Sequence, residues 1–127
     1  KALELATTNY ENDSSYITEL KLYMMDQLQK NIQGISFNGD PKGKSLYAVL
    51  SVSFPKTEKS EMILFNLDIN NICASGGSAC TSGADQGSHV IRAINNNPNQ
   101  VTVRFSFSKQ NTKSEIDAVV EKLKELI

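Results

Sequence analysis

The sequence predicts an α/β (α+β) two-layer sandwich: a small, mostly antiparallel sheet with helices packed on one face. Three observations lead there. Apolar residues recur at helical spacing near both ends of the chain, two internal segments alternate apolar with polar residues, and helical and strand patterns interleave with strands that are few and short. The 127 residues are enough for one domain with its own core and too few for two.

Taken in order, Lys1–Ala6 is helix-forming, and the polar stretch Thr7–Asn12 predicts a break. Asp13 and Ser14 then offer N-caps to a second helix, whose apolar stripe is Ile17, Leu20, Met24 and Leu28, flanked by Tyr16 and Tyr23. Gly34 stops it. Ile35–Phe37 reads as a short strand and Asn38–Ser45, rich in Gly, Pro and Lys, as a turn. In Tyr47–Phe54, Ala48, Leu50, Val52 and Phe54 alternate with Val49, Ser51 and Ser53, which predicts a strand closed by Pro55. Thr57 caps a helix to about Leu67, with Met62, Ile63 and Phe65 supplying apolar surface. Ile72–Ala74 reads as a short buried strand, and Ser88 caps a brief helix, Val90–Ile94. Val101–Phe107 alternates strictly, with Val101, Val103, Phe105 and Phe107 on one face and Thr102, Arg104 and Ser106 on the other. Thr112-Lys113-Ser114-Glu115 is a capping box for a last helix whose apolar face is Ile116, Val119, Val120, Leu123 and Leu126.

Composition narrows the function classes. Apolar residues make up 39% and charged residues 21%, ordinary for a globular domain. A formal net charge of -1 gives no electrostatic basis for nucleic-acid or anionic-membrane binding. No apolar run approaches the roughly 20 residues of a membrane span. Two cysteines do not make a secreted disulfide framework and fit a reduced, cytoplasmic protein. The chain opens on Lys1, already in a helical segment, which reads as a piece of a longer polypeptide.

One stretch carries chemistry. Ser75-Gly76-Gly77-Ser78-Ala79-Cys80-Thr81-Ser82-Gly83 places a thiol among small residues, with nothing large enough to pack a core or stiffen a helix. It reads as a mobile loop with Cys80 near its tip. Hydroxyls and bare backbone can hydrogen-bond a thiolate and let it move, as a nucleophilic sulfur requires, although an incidental thiol on a surface loop satisfies the same pattern. Cys73, between Ile72 and Ala74, reads as a small buried hydrophobe. His89 could serve Cys80 as a base, but nothing in the sequence positions it, and a capping-region or surface histidine is the plainer reading. Cys73, Cys80 and His89 lack the paired ligand spacing of a metal site. Gly39-Asp40-Pro41-Lys42-Gly43-Lys44-Ser45 imitates a phosphate loop but is one residue short and precedes a strand, not a helix, so it reads as a basic turn. Arg104 stands on the polar face of its strand, where a guanidinium can grip a carboxylate with two parallel hydrogen bonds or simply be a surface arginine.

Taken together in order, the Cys80 stretch, Ser88-His89-Val90, Ile91-Arg92-Ala93, Val103-Arg104-Phe105-Ser106 and Thr112 to Asp117 resemble the C-terminal portion of cysteine desulfurases, within the class V aminotransferase family. The class is the one that feeds nitrogenase and iron–sulfur cluster assembly. The resemblance runs over the whole chain, with 9–70 matching mainly in element order. It implies the small C-terminal domain of a homodimeric pyridoxal phosphate (PLP) enzyme. Such an enzyme converts L-cysteine to L-alanine, holds the sulfur as a persulfide on Cys80 and passes it to an acceptor protein such as a cluster-assembly scaffold. Arg104 matches the strand arginine that holds the substrate carboxylate. The chain departs from the family in two ways. The family's PLP lysine directly follows a histidine, whereas here the single histidine is followed by Val90; and Phe107 stands where the family usually has glycine. The resemblance therefore implies that the cofactor residues lie in a separate large domain and that this chain alone has no turnover. Another class V aminotransferase or lyase, or a free-standing sulfur carrier, would share part of the pattern.

Overall fold

A computed structural model describes residues 1–76, 89–95 and 97–127. A 30-residue helix, α1 (Ala2–Asn31), leads through a short strand, β1 (Ser36–Phe37), into β2 (Val49–Pro55). A single 3-10 turn at Ser60–Met62 runs straight into α2 (Ile63–Ile69). α3 (His89–Ile94), β3 (Gln100–Ser106) and α4 (Lys113–Leu126) follow. The three strands form one antiparallel sheet in the order β1-β2-β3. The predicted fold class is thus the observed one.

The expected break at Thr7–Asn12 does not occur, and Asp13 and Ser14 sit inside a continuous helix. Thr7 and Thr8 turn their hydroxyls back onto the carbonyls of Leu3 and Glu4, and Ser14 and Thr18 do the same to Glu11 and Ser14. Such bonds satisfy the polar side chain without ending the helix. α1 is therefore about 45 Å long, and its first two turns are wholly exposed. Its buried stripe begins at Ile17 and continues through Leu20, Met24, Met25 and Leu28.

α4 starts at the predicted capping box, with Thr112 Oγ1 accepting from Glu115 N and the Glu115 carboxylate accepting from Thr112 N. It runs in the same direction as α1. Tyr16 donates to the Asn111 carbonyl and Tyr23 donates to Asp117 Oδ1 at 2.7 Å, so successive turns of the two helices are stitched in step. That bond to the Asp117 carboxylate, with burial, holds the Tyr23 phenol above its usual 10.0. Between helices and sheet, Leu50, Val52 and Phe54 meet Phe105, Val103 and Val101 as direct cross-strand pairs, under Leu20, Met24, Leu28, Ile116, Val120 and Leu123. Each fully buried leucine in this layer contributes about 1.5–3 kcal/mol.

Three expectations about the middle of the chain need correction. Of the expected Met62, Ile63 and Phe65, only Ile63 is buried, and Leu67, one turn on, joins it on the inward face of α2 while Met62 and Phe65 are exposed. Thr57 caps neither the 3-10 turn, whose N-cap is Lys59, nor α2, whose N-cap is Met62; it forms a reciprocal pair with Ser60, the buried first residue of the 3-10 turn (Thr57 N to Ser60 Oγ 2.7 Å, Ser60 N to Thr57 Oγ1 3.1 Å). Ile72–Ala74 is not a buried strand, and Cys73 is exposed. Its three residues are irregular because α2 ends in a Schellman turn: Asn71 sits at φ 59, and the N–H of Ile72 reaches back to the Leu67 carbonyl at 2.9 Å. A left-handed position suits asparagine better than most residues and glycine better still. Asn71→Gly is expected to raise stability by a few tenths to about 1 kcal/mol and Asn71→Val to lower it by about 1–2 kcal/mol, read from urea unfolding. Because Asn71 is exposed, neither change disturbs packing.

The basic turn Gly39–Ser45 opens no helix, as its sequence implied. Asp40 caps it by accepting from Gly43 N. Its far end is held by Lys21, a buried lysine of α1 whose Nζ donates to Ser45 Oγ at 3.0 Å and to the Leu46 carbonyl at 3.1 Å. Burial pulls its ammonium below the usual 10.5, against a smaller opposing pull from Asp40. Below that lowered value the charge is retained in both states at a cost to the fold. Between it and 10.5 the unfolded chain binds more protons than the folded one, so stability rises with pH. The stability of the wild type relative to Lys21→Met should accordingly be constant below the lowered value, grow as pH rises from it toward 10.5 and then level off, as followed by urea midpoints. A difference that shrinks with pH would contradict this.

Candidate functional site

The register of the sheet determines what surrounds Arg104. Ser51 is its direct partner on β2, Ser53 faces Thr102, and Ser36 faces Ser53, so all of these side chains share the sheet face opposite the core. Ser53 Oγ lies 3.0 Å from Thr102 Oγ1, and Asn38, just past β1, bonds both Ser51 and Ser53. Ser36 Oγ is buried on the same face with no partner among the described residues. The result is a polar, uncharged floor with one guanidinium on it.

Arg104 is exposed, yet its main chain is fixed on both sides. β2 lies on one flank. On the other, Arg104 N donates to the Ser75 carbonyl at 2.6 Å and Ser75 N donates to the Arg104 carbonyl at 3.0 Å. The side chain is steered as well: Arg104 Nε donates to Ser75 Oγ at 3.1 Å. No ion pair among the described residues involves Arg104. With Nε occupied, the two terminal nitrogens remain to face a carboxylate, the geometry of a bidentate grip.

Ser75 and Gly76 are the first residues of the stretch read as a loop, and both belong to this strand edge. Gly76 packs closely: a Cβ there would meet the mobile tip of Leu64, Cδ1, at 2.7 Å and the Thr102 carbonyl at 3.2 Å, so a larger residue would have to push both aside. Gly77, Ser78, Ala79, Cys80, Thr81, Ser82, Gly83 and Ser88 lie outside the described residues. His89 is the exposed first residue of α3, a helix that buries none of its own residues. Cys73, two residues before the Ser75 bridge, is exposed.

Of the residues singled out from sequence, the structure therefore joins Ser75 to Arg104 directly and Gly76 to the neighbouring Thr102. Sequence reasoning missed the orienting role of Ser75, because a serine in a small-residue tract gives no sign of pairing with a strand far along the chain. It also missed Asn38, Ser51 and Ser53 as the floor. Alternation in β2 and β3 revealed two polar faces but not that the register superimposes them.

Comparison with known proteins gives a consistent picture. The Aminotransferase class-V family model matches residues 1–119. The cysteine desulfurase of Trichormus azollae is 34% identical over 129 residues, covering 100% of this chain and 32% of that protein. The cysteine desulfurase IscS of Pseudoalteromonas translucida is 30% identical, covering 99% of this chain and 31% of that protein. Among solved structures, a NifS-like protein superposes with a TM-score of 0.74 at 25% identity, over 98% of this chain and 30% of the other. The NifS-like protein from Rickettsia africae ESF-5 shares the fold, with a TM-score of 0.75 at 23% identity over 96% of this chain and 31% of that one. The chain thus spans about a third of the length of the relatives it matches.

Proposed function

The chain belongs to the class V aminotransferase family, and from that premise we propose that it is the small C-terminal domain of a PLP-dependent cysteine desulfurase. The observation that carries the reading is Arg104: exposed, without an ion-pair partner among the described residues, and hydrogen-bonded to the chain segment that leads to Cys80. In the sequence Cys80 follows five residues after Ser75, the residue that Arg104 binds.

In this reading Arg104 holds the carboxylate of L-cysteine through its two terminal nitrogens, and Ser75 fixes the plane of the guanidinium. Orientation of this kind accounts for a large part of catalytic rate. The Cys80 thiolate attacks the substrate sulfur. An S–S bond forms as the C–S bond breaks, the carbon keeps the electron pair and takes up a proton, and L-alanine leaves. Cys80 is left as a persulfide, which it transfers to an acceptor protein for iron–sulfur cluster or thio-cofactor synthesis. PLP, when bound, supplies the electron sink that weakens the C–S bond.

The described residues do not fit a covalent site for that cofactor. The buried lysine, Lys21, is held by Ser45 and Leu46, and the single histidine is followed by Val90 rather than lysine. The cofactor lysine accordingly belongs to a large domain of the intact polypeptide, a cytoplasmic homodimer, and the 127 residues alone have no turnover. Intact mass of the full-length protein after incubation with L-cysteine tests the reading. A reductant-sensitive gain of one sulfur atom on the peptide holding Cys80 is expected. No gain, or a gain confined to Cys73, would overturn it.

A further inference from the structure

The polar floor beneath Arg104 does not end at the sheet. Asn38 Oδ1 accepts a hydrogen bond from Asn95 Nδ2 at 3.3 Å, and the same Nδ2 donates to Gln100 Oε1 at 3.0 Å. Asn95 is the residue directly after α3, and its own N–H closes the helix on the Ile91 carbonyl at 2.7 Å. Asn38 is itself held to the sheet by main chain and side chain. Its N–H donates to the Ser51 carbonyl at 3.0 Å, and its amide nitrogen reaches Ser51 Oγ at 3.2 Å and Ser53 Oγ at 2.9 Å. Ser51 is the cross-strand partner of Arg104. One half-buried carboxamide therefore touches β2, beside the arginine, and the end of α3 at once.

α3 needs such a fastening. Val90 and Ile94 are more than half exposed, and Ile91 alone among its apolar residues is half-buried, so little hydrophobic surface seats it. In so short a helix the polar bonds at its ends carry a large share of its attachment. Asn38 is suited to the task because an amide both donates and accepts: its nitrogen is committed to the serines of β2, and its oxygen accepts from both Ser53 Oγ and Asn95 Nδ2. A serine or threonine at this position would be too short to reach both.

We propose that Asn38 is a positioning residue that ties the end of α3 to β2 beside Arg104. Ser75 is bonded to Arg104 of β3, and Asn95 is bonded to Asn38 and to Gln100 at the start of β3. The kinetic consequence rests on the cysteine desulfurase reading. Asn38 touches no substrate; it bonds Ser51, the cross-strand partner of Arg104, so its loss should loosen the surroundings of the carboxylate grip and weaken ground-state and transition-state binding alike.

The test combines hydrogen exchange with kinetics on the intact protein. In Asn38→Ala, the amides of 91–95 should exchange about five- to tenfold faster, the effect of losing a hydrogen bond of ordinary strength. Those of β2 and β3 should stay within about twofold. Asn95→Ala, which also loses the bond to Gln100, should have at least that effect, and the double variant should add nothing beyond Asn95→Ala, since the bond from Asn38 to Asn95 is already gone. Unchanged exchange at 91–95, uniform acceleration across the sheet, or additive single effects would each overturn the proposal. With L-cysteine, KM should rise about fivefold while kcat stays within about twofold; a fall in kcat at constant KM would also overturn it. A wild-type protein that does not turn over L-cysteine would remove the function proposed above, and the link between Asn38 and α3 would then stand or fall on the exchange data alone.

Discussion

Arg104→Ala in the full-length protein is expected to lower kcat/KM for L-cysteine by about 10³-fold. Two charge-assisted hydrogen bonds to a carboxylate are each worth about 1.5–3 kcal/mol, and every 1.4 kcal/mol is a factor of ten. Arg104→Lys keeps the charge but not the planar fork, and it cannot reproduce the bond from Nε to Ser75 Oγ while also presenting two donors to the substrate. It should recover about tenfold of the loss and no more. The fold should survive both changes. Arg104 is exposed, and its two main-chain bonds to Ser75 do not depend on its side chain. The measurement is steady-state alanine release together with thermal unfolding. A kcat/KM within about tenfold of wild type for Arg104→Ala would show that the carboxylate is held elsewhere.

Cys80→Ser is expected to abolish desulfuration, with alanine and sulfide release falling at least about 10³-fold. Serine keeps the size and the hydrogen bonding of cysteine but lacks its acidity. The thiol ionises near pH 8.5 and is nucleophilic when ionised, whereas a hydroxyl stays protonated without a strong base beside it. Oxygen also cannot carry the sulfur away as a persulfide. The same variant separates the proposed function from its nearest rival. Another aminotransferase or lyase of this family would use Arg104 for a carboxylate and have no need of a thiol, so it would survive the substitution. Cys73 is no substitute for Cys80 on this account: it precedes the Ser75 bridge, which ties the chain to β3.

Most of the fold was legible because its signals are local. The capping box at Thr112, the alternation in β2 and β3 and the stripe Leu20, Met24, Leu28 each specify an element from a few neighbouring residues. The errors have a common origin. Thr7, Thr8 and Ser14 are poor helix formers on average, but their hydroxyls can bond within the helix, and the flanking turns carried it through. Ile72–Ala74 looks like a strand, but the left-handed Asn71 and the bond from Ile72 to Leu67 commit the chain to a turn first. At the site, Arg104 could be picked out because a guanidinium interrupts an alternating strand. Ser75 and Asn38 could not, since their importance comes from residues 29 and 57 positions away. Long-range pairing leaves no mark in a local window.

The bridge between Ser75 and Arg104 has a thermodynamic corollary. The chain cannot leave the strand edge at Ser75 without giving up, in one event, two main-chain bonds and the contact that aims the guanidinium. Attachment at this root and readiness of the arginine are therefore a single equilibrium. Any ligand that favours the aimed guanidinium must tighten the root by the same free energy, and any acceptor that pulls the root away must loosen the ligand in equal measure.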